Sequence, residues 1–123
     1  MEIFKIEEYL KMENPTPGTP LRRHFLTAEQ KAVNIGGLCV VLAPGEQVDY
    51  HYHEGREAIF IAISGEGTEI IEGEEFTIKT NDILYIPAGE KHGTINKSDG
   101  EFRFLEFYTC TPGVPDRILA DIG

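Results

Sequence analysis

Val48-Asp49-Tyr50-His51-Tyr52-His53 is the stretch that decides the fold of this chain. In an extended strand the side chains of residues i and i+2 point to the same face, so the imidazoles of His51 and His53 can bind one ion. A third imidazole, that of His92, follows the turn-forming sequence Pro87-Ala88-Gly89, which leads into another strand. The spacing therefore predicts a metal site shared by two strands.

An acidic residue near these histidines would complete the site. Glu57 follows His53 by four residues and has the same strand parity. Gly55 permits a hairpin that would return Glu57 to the neighbouring strand beside the histidines. Glu54, which has the opposite parity, is the alternative, and a water molecule in place of a carboxylate is the third case. Three imidazoles and one carboxylate suit Mn, Fe, Co, Ni or Zn.

Two segments of the chain together resemble the paired motifs of the cupin family. The first consists of Gly45, His51-x-His53 and Glu57; the second consists of Asp82, Pro87-x-Gly89, His92 and Asn96. The resemblance covers roughly residues 33–109 and is to small single-domain cupins. It implies an all-β fold, the double-stranded β-helix or jelly-roll barrel, and a metal inside the barrel. The ligands it implies are His51, His53, Glu57 and His92.

The chain departs from the family pattern in two places. Asn81 stands where the family has glycine, and asparagine tolerates the left-handed conformation, so we expect the turn to survive. Gly65 lies eight residues after Glu57 instead of seven, and counting back from Gly65 puts the acid at Ala58. We expect either a bulge in the strand that follows Glu57, or Ser64 in the turn position ahead of Gly65.

The remaining pattern divides the chain into three parts. Residues 1–20 form an N-terminal helix and linker, because Ile3, Ile6, Tyr9 and Leu10 make an apolar stripe ahead of a Pro/Gly-rich segment. Residues 21–110 form the barrel, and residues 111–123 form a tail in which 115–120 favours one helical turn. Short runs rich in β-branched and aromatic residues predict nine strands, at 21–27, 33–43, 48–53, 57–64, 68–72, 75–79, 83–86, 94–96 and 102–109.

Composition excludes several classes of function. Eleven basic against twenty-one acidic residues give a formal net charge of −10, which opposes direct binding to nucleic acid. The scattered acids, Glu69 among them, are expected on solvated faces. The N-terminus lacks the pattern of an export signal and no apolar run approaches about 20 residues, so we expect a cytoplasmic protein without a membrane partner. Cys39 and Cys110 are expected to be reduced thiols.

The last predicted strand supplies candidate residues for the wall of the pocket. Phe102, Phe104, Glu106 and Tyr108 share one face, and Arg103, Leu105 and Phe107 share the other; which face points inward is open. Glu106, Tyr108 and Arg103 are candidate acid-base groups. Tyr50 and Tyr52 have the opposite parity to the histidines and are assigned to outer packing or to the homodimer interface that the resemblance favours.

The functional hypothesis is a metal-dependent enzyme that acts on a small organic molecule inside the barrel, of the dioxygenase, isomerase, decarboxylase or lyase type. It requires one divalent transition metal per chain, Mn, Fe, Ni or Zn, with Mn or Fe favoured. The alternative is a cupin that binds or senses a small molecule without turnover. A purely structural cupin is a weaker third hypothesis, because a structural metal does not need open coordination positions.

Overall fold

The computed structural model describes residues 1–110 and the backbone of Ile118–Leu119. Within them the chain forms one short helix, a 3₁₀ turn at Ala28–Gln30 and ten strands. Their bounds are α1 Ile6–Lys11, β1 Leu21–Leu26, β2 Ile35–Leu42, β3 Gln47–Tyr52, β4 Ala58–Ser64, β5 Glu66–Ile71, β6 Glu74–Lys79, β7 Ile83–Ile86, β8 His92–Ile95, β9 Phe102–Thr109 and β10 Ile118–Leu119.

The strands form two five-stranded antiparallel sheets. One sheet has the order β1-β2-β9-β4-β7, and the other has the order β10-β3-β8-β5-β6. Neighbouring strands are mostly distant in the chain, as in a jelly roll, where successive strands alternate between the two sheets. The predicted all-β double-stranded β-helix with a short N-terminal helix is confirmed.

The inner faces of the two sheets enclose the main core. Its buried members alternate along β2, β4 and β9, as the period of a strand with one face on the core requires; they include Leu38, Val40, Leu42, Ala58, Phe60, Ala62, Phe102 and Phe104. On β9 the inward set is therefore Phe102, Phe104, Glu106 and Tyr108, which answers the question that the sequence left open. Glu106 lies opposite Leu38 on one side and Phe60 on the other.

Helix α1 covers the outer side of the first sheet. Tyr9 is buried there and packs with Phe25, its ring centroid 5.0 Å away, in a cluster that also contains Cys39 and Leu105. Arg103 points outward to the same place, where its Nη1 donates to the carbonyl oxygens of Tyr9 and Met12, both at 2.6 Å. Arg103 therefore anchors the helix, so its candidacy as an acid-base group is wrong.

Both expected adjustments to the family pattern occur. The pairing of β4 with β9 shifts between Ala62 and Ser64, so one extra residue is accommodated as a bulge. Asn81 adopts a left-handed conformation with φ of 79°. Gly65 has φ of 83°, and a Cβ there would lie 2.1 Å from the carbonyl oxygen of Glu101, so only glycine fits.

The C-terminal tail contributes a short strand to the second sheet, and the cysteines are unpaired among the described residues. Most of the predicted helical turn at 115–120 lies outside the described residues, and at Ile118–Leu119 it is wrong, because those residues pair with Tyr52 and His51 of β3 as a strand. Cys39 and Cys110 are not bonded to each other or to another described residue. None of the described helices is long and apolar enough to cross a membrane.

Candidate metal centre

Three histidines meet at the inner face of the second sheet. His51 on β3 and His92 on β8 are direct partners across the strand pair, and His53 follows two residues after His51. One ring nitrogen from each histidine lies within 4.8 Å of the other two. All three side chains are buried, at 3–6% exposure. The structure therefore brings together the three histidines that the sequence predicted.

Hydrogen bonds fix the orientation of two of these rings. Nδ1 of His51 lies 2.5 Å from the carbonyl oxygen of Asp49, and Nδ1 of His92 lies 3.3 Å from a carboxylate oxygen of Glu69. A carbonyl oxygen can only accept, so Nδ1 of His51 carries a proton, and in the neutral ring Nε2 then keeps its lone pair. Such partners commonly set the tautomer and ring orientation of metal-binding histidines. Both rings are therefore prepared to bind an ion through Nε2.

Glu69 is the functional residue that the sequence analysis missed. Its side chain is only 1% exposed, so the expectation of a solvated acid is wrong. One carboxylate oxygen contacts His92, and the other accepts a hydrogen bond from Oγ1 of Thr94. Burial raises the pKa of Glu69, while the hydrogen bonds from His92 and Thr94 oppose that rise. Glu69 shares a strand face with Gly67, which packs under Phe102, but this packing is visible only in the structure.

The second motif supports the histidines through its turn and its asparagine. The backbone N–H of Gly89 donates to the carbonyl oxygen of His53 at 2.6 Å, which ties the turn before β8 to the end of β3. Asn96 is completely buried, and its Nδ2 donates to the carbonyl oxygens of Leu42 and Gly100. Asn96 thus ties the end of β2 to the segment between β8 and β9.

The structure does not bring Glu57 to the histidines. Its side chain is exposed on the outer face and its carboxylate accepts a hydrogen bond from the hydroxyl of Tyr85, which raises the pKa of that tyrosine. Its backbone N–H and C=O both bond to Thr109. The parity argument assumed that the alternation of faces continues through the hairpin at Gly55. The segment 53–57 between β3 and β4 does not preserve it, and the inward position falls to Ala58. The presence of a fourth protein ligand therefore stays a prediction. Glu54, the alternative to Glu57, is also exposed and is not a member of the histidine cluster.

A small cavity lies against the histidines. Its lining also contains Glu106, Arg22 and Arg56, with Val40, Val48, Phe60, Thr94 and Phe104 forming the rest of the wall. The cavity has a volume of about 30 Å³, which is enough for more than one water molecule, since each needs roughly 10–15 Å³. Burial raises the pKa of Glu106, and the charge of Arg22 is the largest effect that opposes the rise.

The residues present fit a divalent transition metal. Three neutral imidazole nitrogens converge in a buried place, two of them oriented by hydrogen bonds, and a set of this kind suits Zn, Fe, Mn or Ni. Three protein ligands would leave positions on the ion for a small molecule in the cavity. The arrangement can therefore hold a metal and present it to a bound ligand.

Comparison with known proteins gives a consistent result. A family model described as "Cupin domain" matches residues 38–108. Oxalate-binding protein of Thermotoga maritima is 34% identical over 64 residues, which are 52% of this chain and 53% of that protein. Quercetin 2,3-dioxygenase of Bacillus subtilis is 28% identical over 95 residues, 74% of this chain and 25% of that protein. The chain therefore spans about half the length of the first relative and a quarter of the second.

Among solved structures, a conserved protein from Klebsiella pneumoniae with a double-stranded β-helix domain superposes with a TM-score of 0.80. Its sequence is 25% identical, and the superposition covers 98% of both chains. The similarity therefore includes the N-terminal helix as well as the barrel.

Proposed function

The chain belongs to the cupin family, and we propose that it is a metal-dependent enzyme that acts on a small organic molecule inside the barrel. The observation that carries the proposal is the convergence of three buried histidine nitrogens, within 4.8 Å of one another, on the wall of a cavity. A titratable carboxyl group, that of Glu106, lines the same cavity. A metal site and an acid-base group around one space are the requirements for catalysis by a bound ion.

Each part of the cavity has a role in this proposal. A metal held by His51, His53 and His92 would act as a Lewis acid on an oxygen atom of the ligand. Glu106 is the group that takes or returns a proton, because it is the titratable carboxyl of the lining. Phe60 and Phe104 exclude water, which strengthens the electrostatic interactions inside. The reaction is of the dioxygenase, isomerase, decarboxylase or lyase type.

We propose one divalent transition metal per chain, with Mn or Fe favoured. The donor set of neutral imidazoles supports a borderline metal over Mg or Ca, which prefer oxygen ligands. A closed tetrahedral zinc site of the structural kind would need a fourth protein ligand. Among the described residues the cluster has three members, which supports open coordination.

Binding of a small molecule without turnover is the second candidate function. The cavity of about 30 Å³ is compatible with this function, since it admits a compact ligand or the head of a larger one. One relative carries the name oxalate-binding protein, which supports a ligand of this size.

Glu106→Gln separates the two candidate functions. In an enzyme of the proposed kind, this variant keeps the metal and still binds the ligand, but turnover falls by about 10²–10⁴-fold because the proton carrier is lost. The assay is product formation from small organic acids and their neutral analogues, with and without dioxygen, by metal-loaded protein. If the wild type binds a ligand and converts none of these compounds, the binding function is correct.

We also propose that the protein is a cytoplasmic homodimer. The unbonded thiols of Cys39 and Cys110 support a reducing compartment. An apolar surface on the outer face of β4 and β7 supports the dimer, with Ile59, Ile83 and Tyr85 at 43%, 69% and 57% exposure. Tyr50 contributes little to such an interface, because it is buried and its hydroxyl accepts a hydrogen bond from the N–H of Gly73.

A further inference from the structure

The charge of the cavity lining is opposite to that of the protein. The chain carries 21 acidic and 11 basic residues, a formal net charge of −10. Among the residues that the structure describes, the lining nevertheless contains two arginines, Arg22 and Arg56, and a single acid, Glu106. A divalent ion on the histidines would make this space still more positive. The cavity is therefore an electropositive place in an acidic protein, and such a place attracts anions.

Arg56 carries a polar group without a partner in the part of the chain that the structure describes. Its Nε is buried, and no described residue accepts a hydrogen bond from it. Burial of an N–H group without an acceptor costs free energy, and in native structures such a group calls for an explanation, of which a missing ligand or water is one. The guanidinium lies 4.1 Å from the centre of the Tyr108 ring. This cation–π contact holds the group in place without using its N–H donors.

Arg22 faces the same space from the other side. It lies opposite Val40 in the pairing of β1 with β2, and Val40 belongs to the inner core, so Arg22 shares the inward face. Among the described residues neither Arg22 nor Arg56 has an acidic partner within 4.0 Å. Arg22 is exposed at the edge strand, where a ligand can enter. The two guanidinium groups thus retain donors for an incoming ligand.

We infer that the ligand of this cavity is a small organic carboxylate, whose carboxylate group is held by Arg56 and Arg22 next to the metal site. The inference rests on the proposed function for the presence of the metal. A carboxylate matches the planar donor fork of arginine. It is also smaller and less highly charged than a phosphate, which suits a cavity of about 30 Å³ that contains the acid Glu106. The apolar walls accept a short hydrocarbon part.

Glycolate and its neutral isostere glycolamide test this inference. Their binding is measured by calorimetric titration of Mn(II)-loaded and metal-free protein, with inorganic phosphate as a third probe. We expect the wild type to prefer glycolate to glycolamide by at least about tenfold, since a charge-assisted bidentate pair contributes more than 1.4 kcal/mol. Arg56→Gln should remove most of this preference, and Arg22→Gln should reduce it. Arg23→Gln is the control, because Arg23 is an exposed neighbour of Arg22 on β1. This variant should leave the preference for glycolate unchanged.

The outcomes separate this inference from the proposed function. Equal binding of glycolate and glycolamide by a wild type that holds its metal overturns the carboxylate site alone. Tighter binding of phosphate than of glycolate overturns the choice of a carboxylate. A wild type that holds no metal but prefers glycolate in an Arg56-dependent way supports the anion site and refutes the metal-dependent function. Arg56→Lys, which keeps the charge without the Nε donor, should show an intermediate preference; full preference in this variant contradicts the role of Nε.

Discussion

Replacement of Glu69 by glutamine should weaken metal binding, although Glu69 is not a member of the histidine cluster. The carboxylate contacts Nδ1 of His92 with one oxygen and accepts from Thr94 with the other. Glutamine keeps the size of the side chain but removes the negative charge and one of the two acceptor atoms. If the amide nitrogen faces His92, the ring loses its acceptor; if the amide oxygen faces it, the ring keeps an acceptor that has no charge. In both cases the ring is held less firmly with Nε2 toward the ion.

The geometry sets the expected magnitude. Partners of metal-binding histidines typically contribute about 10- to 100-fold in metal affinity. The contact between His92 and Glu69 is 3.3 Å long, which is beyond the usual range of about 2.7–3.2 Å for such bonds. The effect should therefore lie at the lower end of the range, about tenfold, which corresponds to about 1.4 kcal/mol.

The assay is competitive titration of Mn(II) between the protein and a chelating dye. Glu66→Gln is the matched control, because Glu66 is exposed at the start of the same strand. Thermal unfolding of the metal-free proteins shows whether Glu69→Gln still folds. Equal Mn(II) affinity of Glu69→Gln and wild type, with both folded, would refute the positioning role of Glu69, and so would an equal loss in Glu66→Gln.

Three further predictions concern other parts of the molecule. Glu57→Gln should leave Mn(II) affinity within about twofold of the wild type, because the carboxylate bonds to Tyr85 on the outer face; a loss of tenfold or more would restore it as the fourth ligand. Ile83→Lys should convert the dimer to a monomer in light scattering at micromolar concentration, since it charges the exposed apolar surface; a monomeric wild type would refute the dimer. Burial raises the pKa of the Cys39 thiol from 9.0 to about 11, so this group stabilises the fold below pH 9 and the stabilisation is lost as the pH rises through 11. The free energy of unfolding should therefore fall by about 2 kcal/mol more in the wild type than in Cys39→Ala between pH 8 and 11, and parallel curves in denaturant titrations would contradict this.

The parts of the structure that depend on local rules were predictable from the sequence. Alternation within one strand placed His51 and His53 together, and the Pro/Gly turn placed His92 on another strand. The tolerance of asparagine for the left-handed region accounted for Asn81. The surplus residue before Gly65 was absorbed by a bulge, because a bulge changes the pairing over only a few residues.

The parts that depend on the bends between strands, or on which face a sheet buries, were not predictable in the same way. The parity of Glu57 with the histidines was lost at the bend between β3 and β4, where no strand pairing preserves the alternation. Glu69 resembled the solvated acids around it, and only its neighbour across the strands, Thr94, shows that it faces inward. Arg56 reaches the cavity from the same bend, so its place in the lining could be recognised only from the three-dimensional structure.

Elemental analysis of the metal content tests the central claim most directly. Wild-type protein purified without a chelator or a histidine tag should contain about one equivalent of a divalent transition metal per chain. His51→Ala, His53→Ala and His92→Ala should each lose most of it, because each removes one of three convergent ligands. His24→Ala, which changes a histidine outside the cluster, should keep it. Full occupancy in His92→Ala, or a wild type that holds no metal even after incubation with Mn(II) or Fe(II), would contradict the shared site.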